Sequence, residues 1–277
     1  MMQKVMILTG AGQIGTAIAR RLGSGMKIIV GDRQPEHAHA AARLLTDAGF
    51  DAAPAEVDLA RRASIQRLIQ TAQDCGEITM LVNAAGVSPS QAPIERILQV
   101  DLYGTAVLLE EVGRVIASGG AGVTVSSQSG HRLPALTPQE DELLACTPTE
   151  QLLDLPLLQP NRIRDTLHAY QLAKRCNAKR VMAEAVKWGA RGARLNAISP
   201  GIIITPLALD EFRGPRGAFY RNMAANCPAG RFGTADEVAN AAELLMGAKG
   251  AFITGADLLI DGGATASYFY GPLRPQT

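Results

Sequence analysis

Short apolar runs rich in β-branched residues alternate along this chain with longer segments in which apolar residues recur every three to four positions. The first pattern suits a strand buried on both faces and the second a helix covering it, so the alternation predicts a doubly wound α/β fold with a parallel sheet. The predicted strands run from Lys4 to Thr9, Lys27 to Gly31, Asp51 to Val57, Ile78 to Asn83, Gly122 to Ser126, Arg194 to Ile198 and Asp257 to Ile260. Predicted helices run from Gln13 to Leu22, Pro35 to Ala48, Arg61 to Asp74, Ile94 to Ala117, His168 to Ala190 and Ala235 to Met246. Seven strands fit one sheet with helices on both faces, and hence one domain over residues 1–277.

Residues 131–167 break the rhythm. They hold Pro134, Pro138, Pro148, Pro156 and Pro160, with the leucine-rich pieces EDELLA and TEQLLDLPLL between them. Such pieces form small amphipathic helices whose apolar side must pack on the domain, on another subunit or on a substrate, unless the segment is only a surface decoration. The tail, residues 264–277, contains the aromatic cluster Tyr268, Phe269 and Tyr270 and is expected to pack on something.

Composition narrows the class. With 47% hydrophobic and 19% charged residues the 277-residue chain is globular, long enough to bury roughly 70% of its extended surface. Lys plus Arg number 27 and Asp plus Glu 26, a net charge of +1 that gathers neither nucleic acid nor anionic lipid. Cys75, Cys146, Cys176 and Cys227 lie far apart with no CxxC pair, which reads as reduced thiols rather than disulfides or a zinc site. His37, His39, His131 and His168 show no metal-ligand spacing either. No signal peptide and no membrane-length apolar stretch are recognisable, so a cytoplasmic protein acting on a small molecule is expected.

GAGQIG, from Gly10 to Gly15, closes the first strand and opens the first helix. In that context Gly10 allows a tight turn, Gly12 lets the backbone approach a pyrophosphate, and Gly15 lets helix and strand pack closely, with Gln13 and Ile14 at the helix start. A dinucleotide is the expected ligand; S-adenosylmethionine, or a mere chain turn, are the alternatives. Asp32 ends the second strand, where a carboxylate accepts from ribose hydroxyls and repels a 2′-phosphate, favouring NAD over NADP. Arg33 beside it could stack on adenine or meet a phosphate. Asp58 could reach the adenine amino group or cap the helix that follows.

Tyr170 and Lys174 in YQLAK are four residues apart, so on a helix both project from one face. An ammonium beside a phenol stabilises the phenolate and makes the tyrosine usable as an acid or base. A buried Tyr with a snorkelling Lys would share the pattern.

Together the motifs TGAGQIG (Thr9 to Gly15), Asp32, VDL (Val57 to Leu59), NAAG (Asn83 to Gly86), VSSQSG (Val125 to Gly130), YQLAK, RLNAISPGIIITP (Arg194 to Pro206) and IDGG (Ile260 to Gly263) resemble, in order and spacing, the short-chain dehydrogenase/reductase family. The resemblance implies a nicotinamide coenzyme and a secondary alcohol or ketone as substrate. It implies that Ser127 holds the substrate oxygen, Tyr170 is the acid/base, and Lys174 holds the nicotinamide ribose and lowers the tyrosine pKa. It further implies that Asp58, Leu59, Asn83, Ala84, Ala85 and Gly86 lie against the coenzyme, that Pro200, Gly201, Ile203 and Thr205 form the loop beside the nicotinamide, and that the chain is a homodimer or homotetramer. A likeness to the bacterial 3α-hydroxysteroid dehydrogenase/carbonyl reductase branch implies a bulky apolar substrate.

Three departures from the family pattern stand out. The glycine loop is one residue short, with Gln13 at the usual middle glycine. Asp101, in QVDLYG, replaces the usual asparagine; its charge could pair with Lys174 and raise the tyrosine pKa, or it could merely kink the helix. Ser127 and Tyr170 are 43 residues apart because of the insertion, which could then form a lid or wall of the substrate pocket. Asp101 and the altered loop leave open a second class of function, an NAD(H)-binding regulator or sensor with weak or no catalysis.

Overall fold

The computed structural model describes residues 2–214 and 217–275. Its strands are β1 (Lys4–Thr9), β2 (Lys27–Asp32), β3 (Asp51–Glu56), β4 (Glu77–Asn83), β5 (Ala121–Val125), β6 (Arg194–Pro200) and β7 (Asp257–Ile260). All pair in parallel in the order β3-β2-β1-β4-β5-β6-β7. Strand order reverses between β1 and β4, the point at which a doubly wound Rossmann-type sheet opens a crevice beyond its carboxyl ends. Val5, Met6, Ile7 and Leu8 have no exposed surface, as the unbroken apolar run of β1 requires. Pro54 is tolerated in β3 because that strand is an edge and needs no outward ladder donor.

The helices are α1 (Gln13–Leu22), α2 (Pro35–Asp47), α3 (Arg62–Cys75), α4 (Ile94–Ile97), α5 (Thr105–Gly113), α6 (Gln128–His131), α7 (Pro138–Cys146), α8 (Thr166–Ala190), α9 (Pro206–Arg213), α10 (Gly217–Asn226), α11 (Ala235–Met246) and α12 (Ala264–Tyr270). One core lies between the sheet and α3, α5 and α8, the other between the sheet and α1, α2 and α11. Trp188 seals the first: its indole N–H donates to the Leu109 carbonyl at 3.1 Å. A Cβ on Gly113 or Gly122 would fall 2.5 Å or 2.7 Å from the indole, so both positions must stay bare.

The structure departs from the sequence expectation in two places. The single helix expected from Ile94 to Ala117 is instead α4, a π-helical segment over Leu98–Gly104, and α5, ending at Gly113. The helices α6, α9, α10 and α12 were not predicted; the last of these is the packed tail, of which Gln276 and Thr277 lie outside the described residues.

The insertion is held by local rules and by burial. Thr137 and Glu140 form a reciprocal capping box on α7. Leu144, Leu152, Leu155, Leu157 and Leu158 pack with Ile97, Leu102, Leu172 and Cys176, covering the helix layer formed by α4, the π-helical segment and α8. Arg62 ties the segment down from outside, its Nε meeting Glu150 at 2.6 Å while its other nitrogens meet Glu110 and Glu111. The leucines of the segment therefore cover helices rather than substrate, since they gain more there than by fringing a wet cleft; the wall expected of the segment is met only at its ends, by Arg132, Asp165 and Leu167. Leu152→Ala, at a fully buried site, is expected to cost roughly 2–5 kcal/mol. A lower urea midpoint with an unchanged slope checks it; an unchanged midpoint would show that the insertion is not part of the core.

Candidate active site

A cleft of about 1360 Å³ runs along the carboxyl ends of the central strands, lined by the glycine loop, Asp32, Arg33, Asp58, Leu59 and Ala84 to Gly86. The three loop glycines are needed for different reasons. Gly10 has φ +86° and a Cβ there would lie 2.5 Å from the Ala85 nitrogen. A Cβ on Gly15 would lie 2.6 Å from the Gly10 oxygen and 2.8 Å from Leu8 Cδ1, so this glycine sets the approach of α1 to β1. A Cβ on Gly12 would meet nothing within 4 Å. Gly12 is also the amino-terminal cap of α1, which has neither a side-chain cap nor an acidic residue in its first turn. The helix terminus is thus left open for a phosphate, a fit to a dinucleotide despite the shortened loop and Gln13.

Asp32 accepts from the Ala11 and Gln34 amides, each at 3.0 Å, and so ties the loop to the end of β2 while keeping a carboxylate at the rim of the cleft. Arg33 is exposed beside it. Asp58 accepts from the Ala60 amide at 3.1 Å and pairs with Arg96 at 2.9 Å. It does not cap α3: the cap position is Arg61, so that alternative is set aside. Leu59 is buried, and its carbonyl would be 2.6 Å from a Cβ on Gly104, which explains why the helix crosses here on a glycine.

Asn83 is not brought to the cleft by its side chain. Its oxygen accepts from Thr9 at 2.8 Å and its nitrogen donates to Thr105 at 3.3 Å, which pins β4 to β1 and α5. The Ala84, Ala85 and Gly86 backbone that follows does face the cleft. On the far side, Pro200, Gly201, Ile203 and Thr205 form the rim: Gly201 leaves no room for a Cβ, which would be 2.7 Å from Asp261 Cα, and Thr205 caps α9 by accepting from Ala208 at 3.2 Å.

A second cleft of about 570 Å³ is continuous with the first through Ile14, Ala84 to Val87, and Thr205, and holds Ser127, Tyr170 and Lys174. Ser127 caps α6, its hydroxyl accepting from Ser129 at 3.1 Å and keeping its own hydrogen to donate. Tyr170 and Lys174 sit one turn apart on α8, with Nζ 5.2 Å from the phenol ring centre. Ser126 Oγ donates to the Lys174 carbonyl at 2.9 Å, locking α8 against the end of β5.

Lys174 is 4% exposed and donates to the Val125 carbonyl at 3.4 Å. Asp101, fully buried in the π-helical segment, puts Oδ2 3.7 Å from that ammonium and accepts the Val87 amide on Oδ1 at 2.8 Å. Of the two readings of Asp101, the structure supports the ion pair; the residue does more than kink a helix. Burial pushes the Asp101 carboxyl above its ordinary range, with Lys174 pulling the other way. Burial works against the Lys174 ammonium, but Tyr170 and Asp101 more than offset it and hold the lysine charged.

Several lining residues were missed by sequence reasoning. Arg132, Phe219, Tyr220 and Tyr268 all face the second cleft. Only the aromatic cluster of the tail hinted at one of them, and no local pattern marks a lone arginine as a cleft residue. Of the insertion, only its ends reach the cleft, through Arg132, Asp165 and Leu167. His168, near Tyr170, accepts from the Arg164 amide at 3.2 Å, and burial lowers its pKa.

Two family models match the chain, one described as short chain dehydrogenase over residues 4–138 and one as enoyl-(acyl carrier protein) reductase over residues 152–265. A short-chain dehydrogenase/reductase of Alternaria brassicicola is 36% identical, covering 96% of this chain and 97% of its own length. D-threitol dehydrogenase of Mycolicibacterium smegmatis is 34% identical, covering 95% and 93%. Among solved structures, a short-chain dehydrogenase/reductase from Serratia marcescens superposes with a TM-score of 0.74 at 24% identity, covering 95% of this chain and 98% of that one. With a relative of 36% identity matched over almost its whole length, and with the glycine loop, serine, tyrosine and lysine gathered beyond the carboxyl ends of the central strands, this chain belongs to the short-chain dehydrogenase/reductase family.

Proposed function

We propose that this chain is an NAD-dependent oxidoreductase that interconverts a secondary alcohol and a ketone, with Tyr170 as acid/base. The observation that carries the reading is the convergence of Ser127, Tyr170 and Lys174 in a cleft continuous with an open, uncapped helix terminus and Asp32. The nicotinamide, when bound, supplies the two-electron acceptor or donor. Ser127 Oγ donates to the substrate oxygen and steadies charge that develops there. Tyr170 Oη takes the hydroxyl proton of an alcohol, or returns one to a ketone. Lys174 favours the phenolate through its fixed positive charge and, as in the family, would also hold the coenzyme ribose. Asp32, as the acid at the end of β2, supports NAD over NADP. D-threitol dehydrogenase is named for a polyol, which suits a carbinol substrate here too. We further propose one domain, a cytoplasmic setting and assembly as a homodimer or homotetramer; among the described residues no helix is long and apolar enough to cross a membrane.

The second reading, a coenzyme-binding sensor with little catalysis, draws on the charge of Asp101 beside Lys174. Tyr170→Phe separates the two. Loss of a placed proton donor should lower turnover by about 10² to 10⁴ while coenzyme binding persists. Turnover within about twofold of wild type would remove the tyrosine from the mechanism, and tight NADH binding with no oxidation of any alcohol by the wild type, from mildly acid to alkaline pH, would favour the sensor.

Coenzyme choice is tested by measuring NADH and NADPH dissociation constants. The wild type should bind NADH more tightly, and Asp32→Ala should narrow the gap by removing the charge that repels a 2′-phosphate. Equal affinities in the wild type would refute the role of Asp32.

Asp101 also sets an expected pH dependence. Its carboxylate offsets the positive potential that Lys174 places on Tyr170, so the phenolate forms at higher pH than it would beside an uncompensated ammonium. Asp101→Asn restores that potential, and the ascending, acid-side limb of kcat/KM for alcohol oxidation, which follows formation of the Tyr170 phenolate, should move to lower pH by about one unit. A limb that stays in place, or moves to higher pH, would show that the ion pair does not reach the reacting group.

A further inference from the structure

The short helix α6 carries Ser127 at its amino-terminal cap and Arg132 at its carboxyl-terminal cap, and both side chains line the second cleft. The guanidinium of Arg132 has unusual surroundings. Its contacts are Met223 Sδ at 3.6 Å and the Tyr268 ring, whose centre is 5.6 Å away. Neither neutralises a charge, and Nε is buried without a hydrogen-bond partner among the described residues. Arg62, Arg96 and Arg175 each meet a carboxylate, and Arg194 donates to a ring of backbone carbonyls; Arg180 shares an unpartnered Nε but donates to the Thr147 carbonyl and lies away from the cleft lining.

The acidic groups near this end of the cleft are engaged elsewhere. Asp261 accepts from Gly263 at 2.9 Å and Thr265 at 2.6 Å, which anchors the start of α12. Asp165 accepts from His168 at 2.8 Å and caps α8. On the same short helix as Arg132, Gln128 is 3% exposed and its Oε1 also lacks a partner among the described residues. Two buried polar atoms without partners on one short helix are costly. Asp261 acts on Arg132 only through space, and a largely desolvated cation with no carboxylate in direct contact has room for an anion, which a planar guanidinium holds by two parallel hydrogen bonds when it is a carboxylate.

We propose that Arg132 anchors a carboxylate on the substrate, so that the chain acts on hydroxy and keto acids in preference to uncharged alcohols and ketones. This specifies the substrate class of the oxidoreductase reading above and rests on it for the reaction, though not for the binding. Ser127 then fixes the reacting oxygen at one end of α6 while Arg132 fixes the acid at the other. Burial lowers the Arg132 pKa, but guanidinium stays charged throughout the working range.

The test is titration calorimetry of the NADH-loaded protein with a series of carboxylates from acetate to cyclohexanecarboxylate, each paired with its methyl ester. Wild type should bind at least one acid about tenfold or more tightly than its ester; Arg132→Met should lose that preference and Arg132→Lys keep part of it. Coenzyme affinity, measured by a separate NADH titration of each variant, reports that the variants are folded. In steady-state assays the ratio of kcat/KM for 3-hydroxycyclohexanecarboxylate over its methyl ester should fall about tenfold in Arg132→Met, mainly through KM. Acid and ester bound equally by the wild type, no acid bound at all, or a parallel loss of both in Arg132→Met would overturn the anchor. Acid-selective binding with no oxidation of any alcohol would instead overturn the oxidoreductase reading and leave the anchor standing.

Discussion

An ammonium buried to 4% exposure cannot be left without partners, and the need to satisfy Lys174 organises the part of this protein around the second cleft. Three elements converge on it: the end of β5 through the Val125 carbonyl, the π-helical segment through Asp101, and its own helix through Tyr170. Its surroundings carry further ties. Asp101 accepts from Val87, just past the stretch that borders the coenzyme cleft, and Ser126 clamps the Lys174 carbonyl to the strand end that presents Ser127. The serine, the tyrosine and the backbone after β4 are thus positioned by one charge. Gly86 makes the convergence possible, since a Cβ there would press on Asp101 Oδ1 at 3.3 Å and on Lys174 Nζ at 3.4 Å.

The rest of the molecule supplies rigidity around that centre. Strands buried on both faces keep their carboxyl ends level, so residues far apart in the chain, from Gly10 to Thr205, line connected clefts. The π-helical segment is where the helix layer yields to the site: it carries Asp101 towards the lysine and ends at Gly104, bare against the Leu59 carbonyl. The insertion stabilises this same layer from outside by covering Ile97, Leu102 and Leu172. Its leucines support from behind the helices that hold Asp101 and Tyr170, while its ends, Arg132 among them, line the second cleft.

Legibility followed the range of the forces involved. The strands and the main helices were readable because two-sided burial writes an unbroken β-branched run and one-sided burial writes a three-to-four period. The glycine loop and the Tyr170/Lys174 pair were readable because their geometry is local. The π-helical segment was not, since its apolar spacing looks like that of the α-helix on either side and nothing local marks the wider turn that carries Asp101. The insertion announced that its leucines would be buried and gave no sign of where.

Local chemistry in the chain therefore settled the strand and helix pattern, the glycine turn between β1 and α1 and the pairing of a tyrosine with a lysine on one helix face, because each depends on neighbours a few residues away. Only folding decided that Asn83 turns inward, that Asp101 pairs with Lys174, and that Arg132 and Tyr268, 136 positions apart, share a wall of one cleft. Such relations join side chains that meet only when the sheet closes, and no periodicity along a single segment can encode them.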